Sequence, residues 1–228
     1  GLRGRQGTLV GQNAAGGAIF VNTRDPVLGS YHGFVELGVG NYDTLEAMGA
    51  ISVPIGENLA VRLSYRHAQR DSFFDVYTDR AATQRHPQPV GKQNFDTLRL
   101  GVLWAPWDST EVKFKLDLND LNNNGYAFGV VPGFPNPAPV PTNISSDPLV
   151  AGNNFFDNYA RDRFARGALD IRHTFGNGIQ LRSLSGAQYI NTYIRNDDDG
   201  SLDRMASQKI RAIFRIYSQE VNLVSPSD

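Results

Sequence analysis

An apolar side chain at every second position, repeated in run after run, most constrains what this chain can fold into. In the run 31–39, Tyr31, Gly33, Val35, Leu37 and Val39 share one parity, opposite His32, Glu36 and Gly38. Leu45, Ala47, Gly49, Ile51 and Val53 repeat the pattern, as do Leu59, Val61, Leu63 and Tyr65. Leu98, Leu100, Val102 and Trp104 form another such set. Val112, Phe114, Leu116 and Leu118 then alternate with Lys113, Lys115, Asp117 and Asn119. Weaker runs follow at Leu169 and Ile171, at Ile179 and Leu181, and at Tyr217, Gln219, Val221 and Leu223. A period of two places these side chains on one face of a strand, and no stretch keeps a helical 3.6-residue period. The reading is all-β, with antiparallel strands near 31–40, 44–54, 59–75, 94–105, 111–120, 163–175, 178–193 and 215–225.

The connections separate two kinds of all-β protein. Short turns fall at 40–43, 54–58, 106–110 and 176–178, and long loops at roughly 76–93, 121–162 and 195–214. Apart from the turn at 40–43, short turns follow even strands and long loops follow odd ones. A membrane-spanning barrel sorts its loops this way, short on one side and long on the other. A soluble sheet has no reason to, and long loops without structure are uncommon in compact domains. Hydropathy does not oppose a barrel. The mean is -0.35, and alternating lipid-facing and lumen-facing residues keep such averages low. Tyr31, Tyr65, Trp104, Trp107 and Tyr217 stand near strand ends, where interfacial aromatic girdles lie; aromatics of a soluble core would be the alternative.

Composition removes several functions. The 228 residues carry a formal net charge of -1, which gives no basic surface for nucleic acid. There is no cysteine, so disulfides and thiolate metal sites are excluded. His32, His67, His86 and His173 lack metal-ligand spacing. The run Asn196-Asp197-Asp198-Asp199-Gly200 lacks the acidic residue that would complete an EF-hand and reads as a solvated loop tip. The glycine-rich first 17 residues lack a phosphate loop's Gly-Lys-Ser/Thr. No nucleophile–base or paired-carboxylate set has catalytic spacing. No enzyme activity, cofactor or resident metal is expected.

The opening residues resemble a known family. Leu2-Arg3-Gly4-Arg5-Gln6-Gly7-Thr8-Leu9, then Gly11-Gln12-Asn13-Ala14-Ala15-Gly16-Gly17-Ala18-Ile19, then Thr23-Arg24-Asp25-Pro26, are similar to the end of the plug domain of TonB-dependent outer-membrane receptors. Arg5 stands where that family usually has Pro, and Gln12 where it often has Arg or Lys. Gly38-Val39-Gly40-Asn41-Tyr42-Asp43, the stretch 53–62 and the stretch 217–223 also resemble its barrel segments. The resemblance implies an antiparallel transmembrane β-barrel segment, about eight strands of a larger barrel, preceded by the C-terminal end of a plug. Residues 1–26 would be that plug end and 27–228 the N-terminal part of the barrel. It implies energy-coupled uptake of a scarce ligand across the bacterial outer membrane.

The ligand implied is a ferric siderophore, with vitamin B12, haem or an oligosaccharide as alternatives. Other partners would be the TonB complex of the inner membrane, through a contact box upstream of this chain, and outer-membrane lipid and lipopolysaccharide. Candidate ligand contacts in the long loops are Arg80, Arg85, His86, Tyr126, Phe128, Phe134, Phe155, Phe156 and Tyr159. Aromatics with a few cations suit a bulky anionic chelate; packing of loop against loop is the plainer use. A lock between plug and barrel is expected from Arg3 and Arg24 meeting Glu36, Glu46 or Glu220, with hydration in a wet lumen as the alternative. A soluble antiparallel sheet serving as a binding or structural module, and a small complete barrel, remain open as different classes.

Overall fold

A computed structural model describes residues 2–3, 17–18, 23–79, 81–128, 147–153, 157–200, 202 and 206–226, with backbone alone for the first four. Among them all regular structure is strand. β1 (Leu2–Arg3) and β2 (Gly17–Ala18) pair antiparallel. The main sheet holds β3 (His32–Gly40), β4 (Thr44–Ile55), β5 (Leu59–Arg70), β7 (Gln93–Trp107), β8 (Thr110–Asn123), β10 (Tyr159–Thr174), β11 (Gln180–Asp197) and β12 (Ser207–Val224). Two short strands, β6 (Asp75–Tyr77) and β9 (Val150–Gly152), lie in the long loops. The eight long strands pair antiparallel in chain order, from β3 at one edge to β12 at the other.

Turn chemistry holds this meander together. Tyr42 and Asp43 both take positive φ, 59° and 51°, and Asn41 O accepts from Thr44 N at 3.3 Å. That is the primed turn that matches strand twist. At the other end Gly178, with φ 81°, closes the β10–β11 connection by donating to Phe175 O at 2.8 Å. The turn at 41–43 lies at the long-loop end, since Asp71 N donates to Tyr42 O at 2.8 Å. That explains the exception to parity: it is a short connection on the long-loop side.

Register sorts polarity into rows, because directly paired residues share a face. One row runs His32, Ser52, Arg62, Gly101, Lys115, Ala168, Gly186 and Ser218. The segment 23–27 lies against this row, which marks its side as the inner face. Toward the long-loop end the next inner row holds Ser64, Arg99, Asp117, Arg166 and Gln188. The outer row between them holds Ile51, Leu63, Leu100, Leu116, Gly167, Ala187 and Tyr217. Val112, Phe114, Leu116 and Leu118 therefore stand on the outer face, as their alternation with charged residues requires.

The outer apolar band is membrane-sized. From Leu98 to Trp107 the strand climbs ~30 Å at ~3.4 Å per residue, or ~23 Å of height at a ~40° tilt, close to the ~25 Å of an outer-membrane barrel. Its upper limit steps down across the sheet. Val39 and Leu45 are still apolar at the top of β3 and β4, Tyr65 and Leu98 end the band on β5 and β7, and Tyr217 ends it one row lower on β12. Strands tilted through a level membrane give this slope. Leu63 is 44% exposed and Ile51 53%, well inside the sheet, so among the described residues no second layer covers the outer face.

Several strands reach further than alternation suggests, β8 to Asn123 rather than near 120 and β11 to Asp197 rather than near 193 among them. β5 stops short, at Arg70 rather than near 75. β10 begins at Tyr159 rather than near 163, and β12 at Ser207 rather than near 215. In these upper parts the faces exchange polarity. Arg161, Arg163, Lys209 and Arg211 point outward, while Phe164, Ile210, Phe214 and Ile216 point inward.

Candidate functional site

Three features of this scaffold carry functional chemistry: an anchor on the inner face, a field of charge around it, and a layer of loops above it. The anchor is the segment 23–27. Lys113 and Lys115, two of only four lysines in the chain, sit two residues apart on β8 and so both reach inward. Asp25 lies between them, with Oδ1 2.5 Å from Lys115 Nζ and Oδ2 3.1 Å from Lys113 Nζ. Lys115 Nζ also donates to Thr23 O at 3.1 Å and to Thr23 Oγ1 at 3.2 Å. Val27 N donates to Ser52 Oγ at 3.2 Å. Pro26 rests on Gly101, where a Cβ would come within 3.4 Å of Pro26 Cδ.

Burial alone would raise the Asp25 carboxyl, but the two lysines outweigh it and hold it below its usual value of 3.8. A lowered folded pKa contributes docking free energy above the unfolded value and loses it as pH falls through the lowered one. Docking of 23–27 should therefore be constant near neutrality and weaken progressively in acid, as pH falls through the lowered value. Asp25→Asn should loosen it near neutrality, where the wild-type carboxylate is charged, and the difference from wild type should shrink in acid. Faster amide exchange at 23–27 in the full-length protein, with the strands unaffected, is the expected result; unchanged exchange would show the ion pairs to be dispensable.

Around the anchor the inner face is a charged field. The Asp117 carboxylate, with its side chain 9% exposed, accepts from Arg99 Nε and from Arg166 Nη2, the latter at 2.8 Å. Asp170 takes Arg182 Nη2 at 2.8 Å and Arg172 Nη2 at 3.0 Å. Asp117→Ala leaves two guanidiniums facing each other without a shared acceptor. Arg166 reaches water, so the expected loss is about 1–2 kcal/mol rather than the full cost of a broken buried pair. A lowered urea midpoint of the full-length protein checks it, with Asp117→Asn closer to wild type. Between Thr23 and β3–β8 lies a cavity of about 880 Å³ with Arg24, Arg62, Arg66 and Arg99 on its walls. An anion is the species such a lining accommodates.

The described residues bear on only part of the expected lock. Arg24 lines that cavity and makes no ion pair among the described residues, while Glu46 is engaged by Arg66 at 3.2 Å. Glu36 is exposed on β3, and Glu220 accepts from Asn222 Nδ2 at 2.8 Å. The Arg3 side chain lies outside the described residues. Among the described residues the tie between segment and wall has an acid on the segment and cations on the wall. Sequence reasoning passed over Asp25, although two inward lysines in an arginine-rich chain were a usable signal.

At the long-loop end the connections fold onto one another. β6 and β9 pair in parallel, joining the β5–β7 loop to the β8–β10 loop over Val76, Val90 and Ala151, with Phe74 and Ala127 packed against them. Gly91 N donates to Gly125 O at 3.3 Å, and Asp197 N to Asn158 Oδ1 at 2.7 Å, which ties in the top of β11. Of the expected ligand contacts, His86 is buried and structural: its N donates to Val76 O at 2.7 Å, and its Nδ1 accepts from Gln88 N at 3.1 Å. Arg85 is exposed, beside Asp75 at 3.4 Å and 5.9 Å from the Tyr77 ring centre. Tyr126 and Phe128 are exposed in the second loop. Tyr159 opens β10 on the outer face, 5.7 Å from the Tyr193 ring. Arg80, Phe134, Phe155 and Phe156 lie outside the described residues.

No protein-family model matches the chain. Solved structures do. The FpvAI–pyocin S2 complex contains a chain that matches 99% of this one, with a TM-score of 0.75 and 18% identity. The ferripyoverdine receptor of the outer membrane of Pseudomonas aeruginosa, bound to ferripyoverdine, matches 97% with a TM-score of 0.63 and 16% identity. This chain spans 28% of the length of each. At such identities the likeness establishes the fold: eight antiparallel strands arranged as a stretch of those receptors.

Proposed function

With the fold of a TonB-dependent receptor's barrel wall as premise, we propose that this chain is part of a bacterial outer-membrane receptor that takes up a ferric siderophore by TonB-coupled transport. Residues 1–26 are read as the end of a plug and 27–228 as the first strands of the barrel. One observation carries the proposal. The outer face is an uncovered apolar band of membrane height, and the inner face is a charged field that holds 23–27 through Asp25, Lys113 and Lys115. A soluble binding module would need a second layer over Leu63, Leu98 and Leu118, and leaves the charged inner anchor without a purpose. The siderophore reading is supported by the bound ligand of the ferripyoverdine receptor and by an arginine-lined inner cavity suited to an anion. Transport rather than enzymatic turnover is the activity assigned.

The test is uptake of radioactive iron as a ferric siderophore by a strain lacking its other iron receptors and expressing the full-length gene. Uptake that disappears when TonB is deleted is the expected result. Growth under iron limitation that is the same with and without the gene, for every siderophore offered, would remove the siderophore assignment.

A further inference from the structure

Among the described residues, every oxygen bonded to Lys115 Nζ comes from the segment 23–27. They are Asp25 Oδ1 at 2.5 Å, Thr23 O at 3.1 Å and Thr23 Oγ1 at 3.2 Å. Lys113 Nζ is shared, with Asp25 Oδ2 and Glu111 Oε1 both at 3.1 Å. Thr23 and Asp25 lie outside the sheet. The wall itself therefore supplies one carboxylate, Glu111, for two ammoniums.

Lys115 also ends a row of cations. It pairs with Gly101, and Gly101 with Arg62, so Arg62 and Lys115 stand two strands, ~10 Å, apart on the inner face. Gly101 has no side chain to separate them, and Pro26 of the segment lies over it instead. Arg62 opens on the cavity of about 880 Å³, whose wall includes Thr23 and Arg24. Glu46 answers Arg66 there and Asp117 answers Arg99, while among the described residues Arg24 and Arg62 have no ion pair. Lys113 lies one inner row nearer the short turns. The segment thus divides one cationic surface, with the cavity above it and the two lysines beneath. A tether alone accounts for Asp25, but not for the uncompensated arginines beside it.

We propose that Asp25 holds the place of a transported anion. Its carboxylate fills a carboxylate site built on the wall by Lys113 and Lys115, and withdrawal of 23–27 opens that site to an anion coming from the cavity past Arg62. The inference rests on the reading of the chain as a receptor for an anionic chelate. Withdrawal strips Lys115 of all three of its oxygens and leaves Lys113 with Glu111 alone. Charge left without a partner in a walled lumen draws the next anion within reach. An ammonium has three donors, and two ammoniums side by side suit a carboxylate-bearing ligand. The same geometry makes the grip on the segment competitive: an anion that reaches the lysines weakens the tie to Asp25.

The experiment uses the full-length receptor in nonionic detergent at constant ionic strength. Lys113 and Lys115 are acylated with an amine-reactive ester, and their rates are read by peptide mass spectrometry. Tricarballylate is the competing carboxylate and its neutral trimethyl ester the control. Asp25→Asn should lower the tricarballylate concentration that half-protects Lys115 by roughly tenfold, because the internal competitor is gone. Adding Arg62→Gln should raise it again by roughly threefold. The neutral ester should protect neither lysine. Equal half-protection of wild type and Asp25→Asn, equal protection by the ester, or no protection in either form overturns the proposal. Should Asp25→Asn not fold, the wild type carries the test: tricarballylate should quicken amide exchange at 23–27 and the ester should not, and unchanged exchange contradicts the competition. Uptake of ferric siderophore is scored separately. A receptor that takes up iron but fails these tests refutes the Asp25 site alone. One that passes them without siderophore uptake keeps the anion site and refutes the siderophore.

Discussion

Leu116→Arg in the full-length receptor should lower the stability of the inserted barrel by roughly 2–4 kcal/mol, the cost of a cation on the lipid face near the bilayer midplane. Leu100→Arg should cost the same, because Leu100 and Leu116 are direct cross-strand partners on the outer face. Three residue types in one neighbourhood make the comparison sharp. Leu116 faces outward, Lys115 beside it reaches Asp25 across the inner face, and Gly167 on the far side of Leu116 leaves the outer surface open. Lys115→Leu should be far milder for insertion, and should instead free Thr23 from the wall and leave Asp25 to Lys113 alone. Urea unfolding from phospholipid vesicles gives both values. Equal destabilisation by Leu116→Arg and Lys115→Leu would mean that neither face meets lipid.

Removal of residues 126–156 from the full-length receptor should weaken ferric siderophore binding by roughly a hundredfold or more, about 2.7 kcal/mol, while leaving insertion intact. The deletion stops short of Tyr159 and Ala160 because these are the first paired residues of β10. It takes out Tyr126, Phe128 and β9, and so opens the joint between the first two long loops. The β6 segment keeps its local ties, His86 N to Val76 O at 2.7 Å and Thr78 N to Gln84 O at 2.9 Å. The loss is therefore assigned to the second loop and not to collapse of the first. Equilibrium binding by intrinsic fluorescence, with heat-modifiable mobility as the insertion control, reads both halves. Unchanged affinity would remove this loop from the site.

The strands that sequence reading found best are those whose outer face is plainly apolar. β7 and β8 show it: Leu98, Leu100, Val102 and Trp104 lie opposite Leu118, Leu116, Phe114 and Val112 in register. The upper parts of β10 and β12 escaped because the alternation there is inverted. A reader expecting apolar residues outward meets Arg161, Arg163 and Arg211 at those positions, with Ile210 and Phe214 inward. In the proposed membrane setting these segments leave the lipid while remaining paired, so the backbone pattern continues after the solvent pattern has changed. β6 and β9 escaped for a different reason. Three residues each, joined in parallel across distant loops, carry no local periodicity at all. Of the candidate site, the loops were legible as a region, but His86 serves their fold and Tyr159 belongs to the outer wall. Which carboxylate and which cation tie 23–27 to the wall depended on a register that pairs Gly101 with Lys115.

Thiol labelling along β8 tests the central claim most directly. The chain contains no cysteine, so single cysteines can be placed at each position from 112 to 119 of the full-length receptor, with any cysteine elsewhere in it replaced. In phospholipid vesicles, cysteines at Val112, Phe114, Leu116 and Leu118 should resist a water-soluble maleimide, and fluorophores attached to them should be quenched by a lipid-phase quencher. Cysteines at Lys113, Lys115, Asp117 and Asn119 should show the opposite. That alternation is what a barrel wall between lipid and an aqueous lumen produces. Even positions shielded from both water and the lipid quencher, as in the core of a soluble sheet, would contradict it.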